Sequence, residues 1–330
     1  GAKSRNPGKG WKRASAMVSV LISRAIIRFW QRLASADPRS RIDRRGRLCY
    51  HELMARADYH THTPLCLHAE GRPRDYVRQA LALGLADYGI SDHMPMPDDE
   101  QKPFDLWRMR SAQLPEYLNW IAQAREAAAG SSLRVLAALE CDWLPGIEPW
   151  IGELRAKGCW DYLIGSVHYL GQRGSVDDSL YSGMPLTGSE EEDWHLYREA
   201  VLGLVNSGLF DVLGHMDLVK IWGRRTQELL TLFWEPVFDA LEAGHMVVEL
   251  NTAGWHKPCA VQYPDEDVLR ELLRRGIPVV VNSDAHAPSL LSRDYERAVR
   301  VLRDVAPRGL RECRCATPVS GAELHAFVSC

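Results

Sequence analysis

The stretch Asp58-Tyr59-His60-Thr61-His62, with His68 shortly after it, determines how the rest of the chain is interpreted. Alternate residues of an extended strand point to the same side, so His60 and His62 could hold one metal ion between them. His68 lies far enough along the next loop to reach a second ion. Similar polar groups follow short apolar runs farther along the chain: Ser91-Asp92-His93, Glu140, His168, His215 and Asp284-Ala285-His286. This recurrence predicts a single site built from the ends of several strands.

Apolar runs and amphipathic stretches alternate from Met54 onward. The predicted strands are short and mostly apolar, as expected of parallel strands covered on both faces: Ala55–Tyr59, Asp87–Ile90, Arg134–Leu139, Asp161–Ile164, Val212–Gly214, Met246–Leu250 and Pro278–Val281. The predicted helices carry apolar residues at intervals of three and four: Pro73–Gly84, Leu114–Ala129, Glu191–Ser207, Leu229–Ala243, Asp265–Arg275 and Arg293–Asp304. This alternation predicts an α/β fold with a parallel sheet.

Two architectures contain such a sheet, the doubly wound open sheet and the closed barrel. In a doubly wound sheet, functional residues gather at one switch point between strands. Here seven successive predicted strands each end in polar or ionisable residues, and only a closed barrel brings seven carboxyl ends to one mouth. We therefore predict a distorted, TIM-like (β/α)7 barrel as a single domain at residues 54–306, followed by a C-terminal tail at 307–330.

Residues 1–53 form a basic N-terminal extension in this interpretation. They carry 13 Lys and Arg against three acidic residues, so the remaining 277 residues are acidic overall although the net charge of the chain is only -3. The basic, amphipathic stretch Met17–Leu33 is typical of a targeting peptide or a membrane-surface helix, whereas Met54 just before the first strand favours a disordered or non-native start. The acidic body argues against nucleic acid as a partner.

The cysteines and the hydropathy predict the cellular setting. Eight cysteines are scattered without a CxxC pair, which favours free thiols in a reducing compartment and therefore a cytoplasmic location. No run of about 18 uncharged apolar residues is present, so we expect no membrane span. The oligomeric state is not predicted.

The metal interpretation depends on the number of candidate ligands and not on any one of them. A lone histidine at the end of a strand is more often a hydrogen-bonded surface residue than a ligand. Seven histidines and three acids at such positions predict a metal site, and their mixed N and O donors suit Zn, Mn or Fe equally. Nine candidate ligands, with Glu140 able to bridge, indicate three divalent ions: His60, His62, His68, His93, Glu140, His168, His215, Asp284 and His286.

Such a centre is suited to hydrolysis of a phosphate ester. Ions about 3.5–4 Å apart would share a hydroxide that attacks phosphorus in line with the leaving oxygen, so no Ser or Cys nucleophile and no P-loop is needed. The expected substrate is accordingly a small-molecule phosphate ester. The candidate catalytic residues are Asp92, His93, Glu140, His215 and Asp284.

Six stretches of the chain carry a resemblance to a known family. They are Asp58–Ala69 (DYHTHTPLCLHA), Ile90–Pro95 (ISDHMP), Gly165–Leu170 (GSVHYL), Gly214–Lys220 (GHMDLVK), Glu249–Gly254 (ELNTAG) and Asn282–Pro288 (NSDAHAP). Together they make the chain from about Arg56 to Ala306 resemble the polymerase-and-histidinol-phosphatase (PHP) family, within it the histidinol-phosphatase branch. The resemblance leaves out residues 1–53 and the tail.

The resemblance implies a distorted (β/α)7 barrel with a trinuclear centre. It assigns three sets of ligands: His60, His62, Glu140 and Asp284 to the first ion, Glu140, His168 and His215 to the second, and His68, His93 and His286 to the third. Asp92 would orient a histidine or donate a proton to the leaving group, and Asp217 would play a similar supporting part. The implied activity is that of a histidinol-phosphatase of histidine biosynthesis, which converts L-histidinol phosphate and water to L-histidinol and phosphate.

Substrate contacts and several alternatives stay open. Arg173 and Lys257 are the best candidates for phosphate binding by position, and the segment Gly171–Gly183 departs from the aromatic-rich loop expected of the family. The alternatives are a phosphodiesterase or exonuclease, a phosphatase for another small organic phosphate, an amidohydrolase-type metal barrel, and a metal-holding scaffold without turnover. Turnover of p-nitrophenyl phosphate against bis-p-nitrophenyl phosphate distinguishes the monoesterase from the diesterase.

Overall fold

The computed structural model describes residues 57–97, 107–177, 189–316 and 319–329 of the 330-residue chain. The predicted N-terminal extension lies outside the described residues, as does most of the second half of the segment 171–183. The predicted division of the chain into extension, barrel and tail therefore stays a prediction. Within the described ranges, no helix is long and apolar enough to cross a membrane.

Seven parallel strands form the centre of the fold, and each pairs with the next one along the chain. They are β1 (Ala57–Asp58), β2 (Asp87–Ile90), β3 (Arg134–Asp142), β4 (Tyr162–Ser166), β5 (Val212–Leu213), β6 (Val247–Asn251) and β7 (Val279–Asn282). Just past the carboxyl ends of β1 and β7, Thr61 and Ala285 form a parallel bridge, and the amide of His62 donates to the Ala285 carbonyl at 2.9 Å. The predicted α/β fold and all seven predicted strands are confirmed.

Helices separate these strands and pack on the outer face of the sheet. They are α1 (Pro73–Leu83), α2 (Leu114–Ala127), α3 (Glu148–Lys157), α4 (Glu190–Ser207), α5 (Leu230–Phe233), α6 (Glu235–Ala243), α7 (Glu266–Arg274) and α8 (Tyr295–Val305). All six predicted helices are present, although the one predicted at Leu229–Ala243 is divided into α5 and α6. The helix α3 was not predicted, because only Ile151 and Leu154 of its ten residues are buried and its apolar pattern is correspondingly weak.

The tail after α8 adds two strands that were not predicted. Strands β8 (Leu310–Ala316) and β9 (Glu323–Ser329) pair antiparallel, and β9 also pairs antiparallel with β7 at Val279 and Phe327. The amide of His325 donates to the Tyr59 hydroxyl at 2.8 Å, which ties the hairpin to the beginning of the sheet. The sheet consequently has nine strands of mixed direction.

Apolar side chains fill the interior of the curled sheet. The residues of this inner cluster come from most of the strands and from the hairpin: Ala57, Tyr59, Leu136, Ala138, Tyr162, Ile164, Val212, Val247, Val280, Leu324 and Ala326. Gly89 leaves room for them, since a Cβ atom there would lie 1.9 Å from the Tyr162 hydroxyl oxygen. A second, larger apolar layer lies between the sheet and the helices. Because the interior is filled by apolar groups, the polar side chains gather at the carboxyl ends of the strands.

Candidate metal centre

Glu140 lies at the middle of the cluster formed by the candidate ligands. Its strand, β3, is the longest of the parallel strands, and it carries the buried Glu140 side chain past the end of β2, whereas β4 pairs with β3 as far as Asp142. Five histidine nitrogens lie within 3.6 Å of the two carboxylate oxygens: His93 Nδ1 at 2.9 Å, His60 Nε2 at 3.3 Å and His62 Nε2 at 3.6 Å from Oε2, and His215 Nε2 at 3.0 Å and His168 Nε2 at 3.4 Å from Oε1.

Asp284 and His286 complete the cluster from the end of β7. The Asp284 Oδ1 atom lies 3.1 Å from His62 Nε2, and its backbone has a φ of 51°, a left-handed conformation that Asp tolerates better than most residues. The ring of His286 stacks on that of His62, with 4.0 Å between centroids. The Nε2 atoms of His286 and His68 are 3.0 Å apart. All nine predicted ligands therefore lie in one connected group.

Buried carboxylates orient three of these histidines from behind. Each lies near a histidine Nδ1 atom: Glu249 Oε1 at 2.7 Å from His60, Asp142 Oδ1 at 2.7 Å from His168 and Asp92 Oδ1 at 3.4 Å from His62. We infer the tautomer from this arrangement, because an ionised carboxylate accepts a hydrogen bond from the protonated nitrogen. The Nε2 lone pairs of the three rings then point into the cluster, which is how protein metal sites present imidazole.

The cluster contains buried polar atoms that fit a metal ion. Among the described residues, His60 Nε2, His62 Nε2, His93 Nδ1 and Glu140 Oε2 are buried and form no hydrogen bond of normal geometry, although the three nitrogens lie 3.3, 3.6 and 2.9 Å, respectively, from Glu140 Oε2. Buried polar atoms are rarely left in this state. In the part of the chain that the structure describes, four groups of ligand atoms within 4.8 Å of one another involve the cluster: His60, His62 and Glu140; His93, Glu140 and His168; His68, His93 and His286; and His62, Cys66 and His286. Imidazole nitrogens with carboxylate oxygens suit a divalent transition metal, so these residues fit one.

The electrostatics of the cluster depend on the balance between burial and opposite charge. Burial raises the pKa of Glu140, but the surrounding histidines, led by His60, outweigh it and hold that pKa well below its usual range. Burial lowers the pKa of His168, yet Glu140 and Asp142 raise it to about 9. Burial and the neighbouring His93 lower the pKa of His68 to about 4. The metal-free cluster therefore holds protons that a cation would displace.

A cavity of about 450 Å³ opens above the cluster, a size suited to a small organic ligand. Of the two basic residues predicted to contact substrate, the structure brings only Lys257 to the cavity wall. Arg173 lies outside the wall, because its guanidinium pairs with Glu192 at 3.1 Å. Arg108 and Arg293, neither of which was predicted, line the cavity instead.

Asp217 lies away from the cluster. It is buried and accepts a hydrogen bond from the Lys220 Nζ atom at 2.7 Å and another from the Asp265 amide at 2.9 Å. These two hydrogen bonds stabilise the loop after β5, and neither of them involves a candidate metal ligand.

Besides Arg108 and Arg293, sequence reasoning missed Glu249 and Asp142, which hold two of the candidate ligands in place. A signal for Asp142 was present, since it follows Glu140 by two positions on the same strand and so points to the same side. Glu249 lay within one of the quoted motifs, but nothing in its spacing indicated that its carboxylate faces His60. Their buried position behind the histidines is visible only in the structure.

Comparisons with known proteins identify the family of this chain. The PHP domain model matches residues 58–253. A protein named "Probable histidinol-phosphatase" from Deinococcus radiodurans is 40% identical over 255 residues, which cover 76% of this chain and 94% of that protein. The histidinol-phosphatase of Bacillus subtilis is 27% identical over 263 residues, which cover 74% of this chain and 98% of that protein.

A solved structure extends the similarity to the fold. The crystal structure of histidinol phosphate phosphatase from Lactococcus lactis, complexed with zinc, L-histidinol and phosphate, superposes with a TM-score of 0.59. The match covers 76% of this chain and 94% of that one at 22% identity, a level at which it bears on the fold alone. The matched domain and the extensive identity to a curated relative place this chain in the PHP domain family, in agreement with the resemblance found in its motifs.

Proposed function

We propose that this protein is a divalent-metal-dependent phosphomonoesterase that hydrolyses L-histidinol phosphate to L-histidinol and phosphate. The similarity to proteins named histidinol-phosphatase supports the substrate. The complex of the Lactococcus lactis enzyme with zinc, L-histidinol and phosphate supports the combination of metal and ligand. The cytoplasmic location and the place in histidine biosynthesis belong to the same proposal, and they stay predictions.

The observation that carries the proposal is the group of buried ligand atoms around Glu140 that converge without a hydrogen bond of normal geometry. Four such atoms converge from four residues, and the cavity lies directly above them. A purely structural histidine network would satisfy these atoms with hydrogen bonds, because an unmade bond in a buried site costs about 1–3 kcal/mol. Their orientation is therefore better explained by cations that the protein binds next to its substrate.

We assign the ligands to three ions. The first is held by His60, His62, Glu140 and Asp284, the second by Glu140, His168 and His215, and the third by His68, His93 and His286. The short distances from both oxygens of Glu140 to different histidines support its bridging role. The close approach of His68 and His286 supports a common ion for that pair, since two imidazoles this near one another gain from a shared cation.

The ions, when bound, would supply Lewis acidity toward the phosphate oxygens and lower the pKa of a coordinated water molecule. The side chains fix the positions at which this happens. Glu249 and Asp142 hold His60 and His168 in one tautomer, and Asp92 does the same for His62. Asp92 is fully buried behind that ring and accepts from the His93 amide at 2.9 Å, which supports an orienting role over that of a proton donor.

Two basic residues would recognise the phosphate from the cavity wall. Lys257 and Arg293 both line the cavity, and within the described ranges no carboxylate lies at ion-pair distance from either. Their positive charges are therefore available to an anion. Arg108 is different, because its guanidinium is buried and pairs with Asp142. We expect Lys257 and Arg293 to bind the ester and Arg108 to maintain the metal centre through Asp142.

The test is turnover by the metal-reconstituted enzyme. We expect a higher kcat/KM for L-histidinol phosphate than for p-nitrophenyl phosphate, and little turnover of bis-p-nitrophenyl phosphate. Preferential turnover of the diester would instead establish the phosphodiesterase alternative. Turnover of other phosphomonoesters without L-histidinol phosphate would contradict the substrate while retaining the reaction class.

A pair of histidine variants tests whether the cluster is the site of turnover. His168→Ala should lose activity and metal while its circular dichroism spectrum stays native. His245→Ala is the matched control, since His245 is exposed just before β6 and belongs to none of the possible ligand groups among the described residues. Near-native turnover by His168→Ala, or equal losses in the two variants, would refute the assignment.

A further inference from the structure

We propose that Asp177 selects phosphate esters that carry an amino group close to the phosphate, by pairing its carboxylate with the ammonium. This inference rests on the proposed function only in that the cavity is taken to bind a phosphate monoester. It adds a specificity residue, on a loop in which the chain departs from the pattern expected of its family.

A tight hairpin after β4 fixes the place of Asp177. The amide of Leu170 donates to the Gly174 carbonyl at 3.0 Å, and the amide of Val176 donates to the His168 carbonyl at 2.8 Å. Because of these two hydrogen bonds the chain reverses direction after Gly174, and Asp177 lines the cavity above the metal centre. Its carboxylate lies close enough for its charge to act on His168.

The Asp177 carboxylate has no cationic partner in the described parts of the chain. It accepts a hydrogen bond from the Ser175 hydroxyl at 2.8 Å, and it is exposed to solvent. A negative charge on the wall of a cavity that receives a phosphate opposes binding through Coulomb repulsion. A ligand with a positive group of its own turns that repulsion into attraction.

The basic residues of the cavity wall that form no ion pair within the described ranges follow other strands than Asp177 does. Lys257 follows β6 and Arg293 follows β7, whereas Asp177 follows β4, which lies three strands from β7 in the ring. The cavity therefore has two basic side chains on its wall, the metal centre at its floor and the exposed carboxylate of Asp177 at its edge. Such a distribution fits a short zwitterion better than a simple anion.

The ligand class that fits is a 2-aminoalkyl phosphate. In this class the ammonium and the phosphate are separated by two carbon atoms, so one small molecule presents both charges to the cavity that Asp177 and the metal centre line together. L-Histidinol phosphate belongs to this class, because its amino group is carried by the carbon next to the ester CH2. The inference thereby supplies a physical reason for the proposed substrate, yet it also applies to other members of the class.

Binding of two phosphonates that cannot be hydrolysed tests the inference without any turnover. 3-Aminopropylphosphonate and propylphosphonate differ only in the amino group. Titration calorimetry on the zinc-loaded full chain should show the amino compound binding about 2- to 5-fold more tightly, as expected for an ion pair with a solvent-exposed carboxylate. In Asp177→Asn this difference should disappear, and in Asp177→Glu it should partly return. Asp304→Asn, a neutralised exposed acid on α8, is the control and should keep the full difference.

Three results would overturn the inference. The wild-type protein could bind both phosphonates equally, or Asp177→Asn could keep the preference for the amino compound. Loss of bound zinc in Asp177→Asn, measured on the same samples, would assign Asp177 to the metal centre instead. Failure of the protein to hydrolyse L-histidinol phosphate would contradict only the proposed function, since phosphonate binding does not depend on turnover.

Discussion

Replacing Glu249 by glutamine should damage both the stability and the metal affinity of this protein. The two carboxylate oxygens accept four buried hydrogen bonds: Oε1 from His60 Nδ1 at 2.7 Å and Asn282 Nδ2 at 2.9 Å, and Oε2 from the His215 amide at 2.7 Å and Asn251 Nδ2 at 3.1 Å. A glutamine keeps one acceptor oxygen, and its amide group would face two donors. Two bonds to a charged group are lost, so we expect a destabilisation of about 3 kcal/mol.

The effect on metal binding follows from the position of His60. Without the carboxylate, nothing fixes the Nδ1 proton that turns the Nε2 lone pair toward Glu140, and we expect a loss of about 10- to 100-fold in metal affinity. Guanidinium unfolding of the metal-free protein measures the first effect, and competition with a chelator measures the second. Glu126→Gln, an exposed glutamate near the end of α2, is the matched control. Wild-type stability and affinity in Glu249→Gln would refute the role of Glu249.

Three further predictions concern other parts of the chain. Gly89→Ala should lower the free energy of unfolding by about 1–3 kcal/mol through overpacking against Tyr162, and an unchanged denaturation midpoint would contradict this. Burial raises the pKa of Asp87, but the hydrogen bonds from Arg134 outweigh burial and depress that pKa in the folded state. The stabilisation that this pair provides should therefore be present above about pH 4 and be lost as pH falls further. Arg134→Met should reduce this loss, as measured by the free energy of unfolding at several pH values. Removal of residues 1–53 should leave metal content and turnover intact, since every candidate ligand lies in the described part, and loss of active protein would count against it.

The strand order and the ligand cluster were open to prediction from the sequence because both depend on local patterns. Polar residues that follow short apolar runs lie at the carboxyl ends of parallel strands, and a curled sheet brings those ends together. His60 and Asp284 could therefore be placed in one site although 223 intervening residues separate them. The motifs added the division of ligands among ions, which spacing alone does not determine.

The parts that were missed depend on contacts between distant segments. The hairpin of β8 and β9 was not predicted, because β8 carries Arg and Cys residues where an alternating apolar pattern would be expected. The pairing of β9 with β7 is also a contact between segments far apart in the sequence. Arg173 illustrates the same limit on the substrate side. Its position after β4 suggested the cavity, but the acidic start of α4 provides Glu192 as a partner.

Anomalous diffraction from crystals of the reconstituted protein, recorded on both sides of the metal absorption edge, tests the central claim most directly. We predict three peaks around Glu140: one near His60, His62 and Asp284, one near His168 and His215, and one near His68, His93 and His286. A metal count of three per chain by plasma mass spectrometry should accompany them. No peak within coordination distance of Glu140, or ions bound at other residues while activity is present, would contradict the proposed metal centre.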